Sequence, residues 1–380
     1  AMKAKEADRL STLRLINAAI KDRDIEARGA GNDEGVGDDV VLAILGAPLF
    51  AIIATSAMVG FHSNDTELMT IALELMSIAQ MPILTAIPLF TFAGYILSES
   101  NAPKRLVRLT NAMFGWMPGG LALVCLAACA FFTAFTGASG VTIIALGGIL
   151  YPALKQDGYS DRFNLGLVTS SGSLGLLFAP SLPLILYGVV AEVSIDDLFR
   201  AGILPGIVML VMLSGYSIWV NRNNRKPVES FSLREVGAAL REAIWELPLP
   251  FVVLGGIYSG FFAVSEAAAI TALYVFIAEV LINREIRFRD LPRITRDSMV
   301  LVGGILMILG VSLASTYYMI DTEVPQKLLA LVAELVSSPT SFLILLLVFL
   351  LILGAILDIF SAIVLVVPLI LPIAAGFGVN

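Results

Sequence analysis

The chain has one histidine and two cysteines in 380 residues, and only 14% of its residues are charged. A lone imidazole, His62 in a polar loop, excludes a multi-histidine metal site and leaves a membrane-embedded enzyme without its usual metal ligands. Cys125 and Cys129, four apart in an apolar run, read as small buried hydrophobes. A charged fraction far below the ~25% of soluble domains excludes an ordinary water-soluble fold. Strict polar/apolar alternation is missing too, so of the two structures that satisfy their backbone in lipid, helices fit and a closed barrel does not. No secretory leader is expected, because the first apolar block begins near Val40 and is long enough to span. Nothing points to nucleic acid.

What is present is hydrophobic: 58% of the residues, with a mean hydropathy of +0.89. The apolar blocks run 40–61, 82–97, 119–135, 139–154, 166–190, 201–220, 246–264, 266–283, 298–319, 341–357 and 360–376. At 1.5 Å per helical residue, blocks of roughly 17–22 residues approach the ~30 Å hydrocarbon core. Residues 1–39 form a hydrophilic arm or linker, with an amphipathic helix expected over Asp8 to Ile20 and a linker at Gly29 to Gly37. Leu68 to Ala79 reads as a shorter amphipathic segment.

Net charge of −7 says less than its distribution. Arg222, Arg225, Lys226, Arg234 and Arg241 fall in one loop, and Arg284, Arg287, Arg289, Arg293 and Arg296 in another two spans later. Both loops are cytoplasmic by the positive-inside rule, and Trp116, Trp219 and Trp245 sit at the same ends as interfacial anchors. Loop 191–200, with Glu192, Asp196 and Asp197 against Arg200, falls outside.

A weak internal repeat is visible. Pro103 to Leu109 matches Pro325 to Leu331, and with a two-residue gap Ile149-Leu150-Tyr151-Pro152 falls on Leu369-Ile370-Leu371-Pro372. Each copy is an amphipathic arm followed by two apolar arms of about 17 residues that meet at a polar tip. The first tip is Thr136-Gly137-Ala138-Ser139-Gly140; the second holds Asp358 and Ser361. Five spans separate the copies, so they face opposite sides, and their arms carry opposite charge signs. Inverted repeats with interrupted hydrophobic segments point to a transporter site near the bilayer midplane.

After the first hairpin, Thr169 to Pro183 is rich in serine, glycine and proline, and a helix break is expected near Gly175 to Pro180. Freed carbonyls in a membrane need a partner. Set against Thr136 and Ser139 they suit a cage for a hard cation such as Na⁺; the alternative is a small-residue packing face. Asp358 stands between two apolar arms, where a carboxylate costs roughly 2.5–3.5 kcal/mol, and it reads either as functional or as a helix cap. Glu266 reads as a cap, while Glu74 and Glu279 are expected to snorkel to an interface.

Several stretches jointly resemble the large membrane subunit of tripartite ATP-independent periplasmic (TRAP) transporters, the DctM-like permeases. They are Ile87-Pro88-Leu89-Phe90 with Ala93-Gly94, Met117-Pro118-Gly119-Gly120, Thr136 through Pro152, Gly175 through Gly188, Ala201-Gly202-Ile203-Leu204-Pro205-Gly206, Ser265-Glu266-Ala267-Ala268-Ala269 and Leu357-Asp358. The resemblance implies an all-α polytopic membrane protein of the ion-transporter superfamily, with an elevator fold of inverted repeats, re-entrant hairpins and broken helices. On that reading 40–98 are scaffold helices and 99–200 the first transport repeat (hairpin 119–154, broken helix 166–190). Segment 201–320 is again scaffold, and 321–380 the second repeat, inverted and incomplete. The family implies Na⁺-driven uptake of an organic acid across the bacterial inner membrane. Its partners are a periplasmic substrate-binding protein and a small membrane subunit, and it is not an enzyme. Carried over, the Na⁺ ligands are Thr136, Ala138, Gly175, Phe178 and Ala179, and the substrate-binding residues Ser139, Ser170, Ser171, Ser173, Ser181 and Asp358. The family's Ser-Gly-Ser tip is Thr-Gly-Ala here, which removes a hydroxyl at Ala138. The second repeat ends at Asn380 with no counterpart to Gly175–Pro183, so a C-terminal truncation is expected. Alternatives are a related dicarboxylate symporter or antiporter without a binding protein and, more distantly, a membrane enzyme or a structural subunit.

Overall fold

A computed structural model describes residues 49–63, 69–117, 119–222, 231–336, 338–355 and 357–379. The arm 1–39, with its expected helix and linker, lies outside them, as do Pro118, Arg225 and Lys226. The chain divides into two units, Ala1–Leu68 and Met69–Asn380. Within the first, helix α1 spans Leu49–Ser63.

The regular structure of the second unit is helical, with no strand among its described residues. In chain order come α2 (Met69–Ala79), a 3₁₀ turn (Pro82–Thr85), α3 (Ala86–Glu99), α4 (Ala102–Phe114), α5 (Gly120–Thr136), α6 (Ser139–Gln156), α7 (Asp161–Leu174) and α8 (Leu182–Val190). Then follow α9 (Ile195–Val220), α10 (Leu233–Glu242), α11 (Pro248–Tyr258), α12 (Val264–Phe276), α13 (Leu291–Asp321), α14 (Val324–Leu335), α15 (Pro339–Gly354) and α16 (Ile359–Gly376). Short polar residues start these helices where they should. Ser160, Ser194, Ser232, Ser338 and Asp358 each accept a hydrogen bond from a backbone amide of the first turn, which satisfies donors that lipid cannot.

Among the described residues five helices are long and apolar enough to cross a membrane, or six if the bent pair Asp161–Leu177 and Leu182–Val190 counts as one span. The protein is a multi-pass membrane protein. Block 246–264 gives a helix of only 11 residues, α11, because the chain leaves helical geometry at Ser259 and Gly260 adopts φ +73°. Block 298–319, by contrast, extends to the 31 residues of α13.

The core forms around α3. Its C-terminal half (Ala93, Ile96, Leu97) packs with Val124, Leu126 and Phe132 of α5, Leu146 and Leu150 of α6 and Leu174 of α7. Its N-terminal half (Ala86, Ile87, Phe90) meets Leu182, Ile185 and Leu186 of α8, Ala267 and Ala268 of α12 and Leu309 of α13. Along α9 and α15 the apolar side chains stay uncovered: Leu204 is 70% exposed, Met212 69% and Leu351 67%. Each such side chain forfeits about 1.5–3 kcal/mol in water, so these faces belong in lipid or against another chain.

Candidate functional site

Helix α5 ends where Gly137 enters the left-handed region at φ +63°, which turns the chain within two residues into α6. The tip does not protrude: Thr136, Gly137 and Ala138 are buried, Ser139 is half-buried and Gly140 exposed. A methyl group on Gly94 would lie 2.5 Å from the Thr136 Cα, so α3 passes directly against the tip. Gly94 is five residues before the end of α3, the end joined to α4.

Beneath the tip lies a closed set of hydroxyls. Thr133 donates to Thr142 Oγ1 at 2.9 Å and lies 3.1 Å from the Gly172 carbonyl. The Thr136 and Thr142 hydroxyls are 3.0 Å apart. All three threonines are fully buried. This set pins both arms of the hairpin to α7, and of its members sequence reasoning found only Thr136. Thr133 and Thr142 sit inside apolar runs with no local signal.

The helix break falls where the prolines and glycines place it. α7 ends at Leu174, a 3₁₀ turn covers Gly175–Leu177, and α8 resumes at Leu182 after a 51° bend. The Gly175 carbonyl accepts the Phe178 amide at 3.1 Å. Four glycines let neighbouring segments close around this break. A methyl on Gly175 would meet the Ala130 carbonyl at 2.4 Å, and one on Gly137 would meet the Leu182 side chain at 2.3 Å. On α9, Gly202 faces the Leu177 carbonyl with the same clearance of 2.4 Å, and Gly206, one turn later, faces the Phe178 ring. The Ala201–Gly206 stretch therefore cradles the break, a role its sequence alone did not reveal.

The structure thus brings Thr136, Ala138 and Gly175 into one region, with Phe178 and Ala179 on the connecting strand of the break. The proposed substrate residues divide. Ser171 is buried, donates to the Val168 carbonyl at 3.1 Å and lies 3.6 Å from Cys125 Sγ. Ser181 is buried and donates to the Leu176 carbonyl at 2.5 Å. Ser139, Ser170 and Ser173 keep open faces. Asp358 caps α16, its Oδ2 accepting the amides of Phe360 and Ser361 at 3.0 and 3.1 Å and its Oδ1 the Ser361 hydroxyl. No hydrogen bond among the described residues links it to the first tip. Glu266 caps α12 by accepting the Ala263 amide at 3.0 Å.

Glu279 corrects the sequence reading. It does not snorkel but is 1% exposed, on a π-helical stretch at Ile277–Ile282 that continues α12. Its partner is Arg105 of α4, whose Nη2 lies 3.1 and 3.2 Å from its two oxygens. Arg105 also binds Glu246 through Nε at 2.6 Å and Glu285 through Nη1 at 2.5 Å. Burial works against its charge, but the carboxylates outweigh it and raise the guanidinium pKa further. Burial likewise opposes ionisation of Glu285; the Asn101 amide and Arg105 together hold its carboxyl below the usual range. Arg108 pairs with Glu235 and Glu242 of α10, and Arg293 with Glu99. The first amphipathic arm is clasped to the segment after α9.

The family model of the tripartite ATP-independent periplasmic transporter, DctM component, matches residues 39–380. The chain is 31% identical over 361 residues to the C4-dicarboxylate TRAP transporter large permease protein DctM of Rhodobacter capsulatus, covering 90% of this chain and 81% of that one. It is 30% identical over 345 residues to the ectoine/5-hydroxyectoine large permease protein UehC of Ruegeria pomeroyi, with the same coverage of 90% and 81%. Against the isethionate permease protein DctMQ of Oleidesulfovibrio alaskensis it is 34% identical over 310 residues, 80% of this chain and 48% of that one.

Proposed function

Because the chain belongs to the DctM family of TRAP transporter large permeases, which are transporter subunits and not enzymes, we propose that it carries a small organic anion across the bacterial inner membrane. Na⁺ drives the uptake and an elevator movement accomplishes it. The relatives are named for C4-dicarboxylates, ectoine and isethionate, molecules that share a carboxylate or sulfonate head. A periplasmic binding protein delivers the substrate and a small membrane subunit stands alongside; in one relative the name DctMQ joins two components.

The observation that carries this reading is the buried hairpin tip locked against a broken helix. Freed backbone carbonyls at membrane depth require a cation, water or protein partner, and the break lies against the hairpin, Gly175 beside Ala130 and Thr133 and Leu182 beside Gly137 of the tip. Na⁺ bound there neutralises the site for an anion held by Ser139, Ser170 and Ser173, with Asp358 on the second hairpin as a further polar contact. The contact of the tip with Gly94, near the arm end of α3, supports a hairpin that stops inside the bilayer.

The test is reconstitution of the chain with a small subunit and a succinate-loaded binding protein in liposomes. Saturable uptake that requires an inward Na⁺ gradient is expected. Uptake indifferent to Na⁺, or independent of the binding protein, would sink this assignment in favour of another ion-transporter-superfamily permease.

A further inference from the structure

A cavity of about 470 Å³ opens between the first half of α7 and the last two turns of α9. Its α7 wall is a stripe at helical spacing, Arg162, Gly166 and Ser170, extended by Ser160 at the cap. A methyl group on Gly166 would touch nothing, so the stripe stays open along its length. The α9 wall contributes Tyr216 and Ser217 between apolar neighbours. The volume falls in the ~300–1,000 Å³ range of small-molecule sites, which combine an apolar lining with a few convergent polar groups.

The charge on this wall is unmatched. Asp161, next in sequence to Arg162, turns to α6, where it binds Lys155 at 3.2 Å and the Tyr151 hydroxyl at 3.1 Å. Arg162 has no ion pair or hydrogen bond among the described residues. A guanidinium at the mouth of a cavity, with hydroxyls at both ends and short apolar walls between, is complementary to a compact organic anion. The place fits a route. Ser170 lies five residues before Gly175, where the helix breaks, and both walls run from there to the side that Trp219 and Arg222 mark as cytoplasmic.

Resting on the proposed transport of an organic anion, we propose that this cavity is a release subsite on the cytoplasmic side, with Arg162 receiving the anionic head as substrate leaves the break. The site is read by chemical protection, without transport. Gly166→Cys, on the open cavity wall and purified in a neutral detergent free of anionic lipid, is labelled with an uncharged maleimide; Cys125 and Cys129 are buried. Succinate should slow labelling while the neutral 1,4-butanediol does not. Adding Arg162→Gln should raise the half-protecting succinate concentration about tenfold, the loss of one charge-assisted hydrogen bond. Arg162→Lys should restore most of the protection. An unchanged labelling rate without succinate shows that the variants are folded. Protection absent with succinate, unaltered in Arg162→Gln, or produced only by phosphatidylglycerol overturns the proposal, the last outcome assigning the cavity to lipid. Success of the Na⁺-gradient uptake alongside any of these would confine the failure to the subsite.

Discussion

Single residues decide most where a backbone must come close or a charge is enclosed. Gly175→Ala puts a methyl group 2.4 Å from the Ala130 carbonyl and 2.5 Å from Thr133 Cβ, atoms that cannot swing aside. We expect the break to lift from the hairpin and Na⁺-dependent uptake to fall at least about tenfold, one lost coordinating contact, in a chain that still inserts. Thr136→Ala should weaken Na⁺ dependence less, since its hydroxyl already pairs with Thr142. Arg105→Ala leaves Glu246 and Glu279, 2% and 1% exposed, without their counterion. Breaking a buried pair on one side costs about 3–5 kcal/mol, to be read as a large fall in melting temperature. Lys is a poor substitute for a fork bound to three carboxylates. Glu285 sets the acid limit of the same contact. Its folded pKa lies below the unfolded one, so its contribution is complete above the ordinary carboxylate range and disappears as pH falls through the folded value. Acid titration of stability should therefore steepen below that range in the parent and flatten in Glu285→Gln.

At the level of elements, the two hairpins present different problems. The first is held by buried threonines and by the close approach of Gly94 on α3 and Gly172 on α7. The second depends on Asp358, whose cap is worth about 1 kcal/mol; at the membrane depth expected of a tip between two apolar arms its charge would cost roughly 2.5–3.5 kcal/mol. Asn caps as well as Asp without that cost, so capping alone does not account for the carboxylate. Asp358→Asn is expected to keep the melting temperature and lose uptake, whereas Asp358→Ala should lose both. Full uptake by Asp358→Asn would reduce the residue to a cap. These elements were largely legible in sequence: Gly137 between two apolar arms, the Gly175–Pro183 interruption and the caps at Glu266 and Asp358 are local signals, whereas the serine caps were not singled out. The Arg105 cluster was not, because its partners lie 141, 174 and 180 residues away, and Glu279 alone on an apolar helix resembles a snorkelling side chain. The hydroxyls of Thr133 and Thr142 were missed for the related reason that threonine in a lipid-facing run and threonine in a buried contact look alike.

For the whole molecule, the two segments matched in sequence also form helices of similar length. α4, α5 and α6 have 13, 17 and 18 residues, and α14, α15 and α16 have 12, 16 and 18. Their surroundings differ, since α5 is buried among its neighbours while α15 exposes most of its side chains. A lipid-soluble photoprobe should accordingly label α15 and α9 heavily and leave α5 untouched; equal labelling of α5 would mean that its packing opens in the bilayer.

The Arg105 contact also has a chronology. Its carboxylates follow it by 141 to 180 residues, and at ~5–20 residues per second the ribosome needs roughly 7 to 36 seconds to make them. Throughout that interval Arg105, with Lys104 and Arg108, is unneutralised positive charge beside the first spans, the quantity that the insertion machinery reads to orient a chain. Only after Glu246, Glu279 and Glu285 emerge does the same side chain pass from a signpost for insertion to an interior bond, so substitutions there act twice, at different moments in the life of the chain.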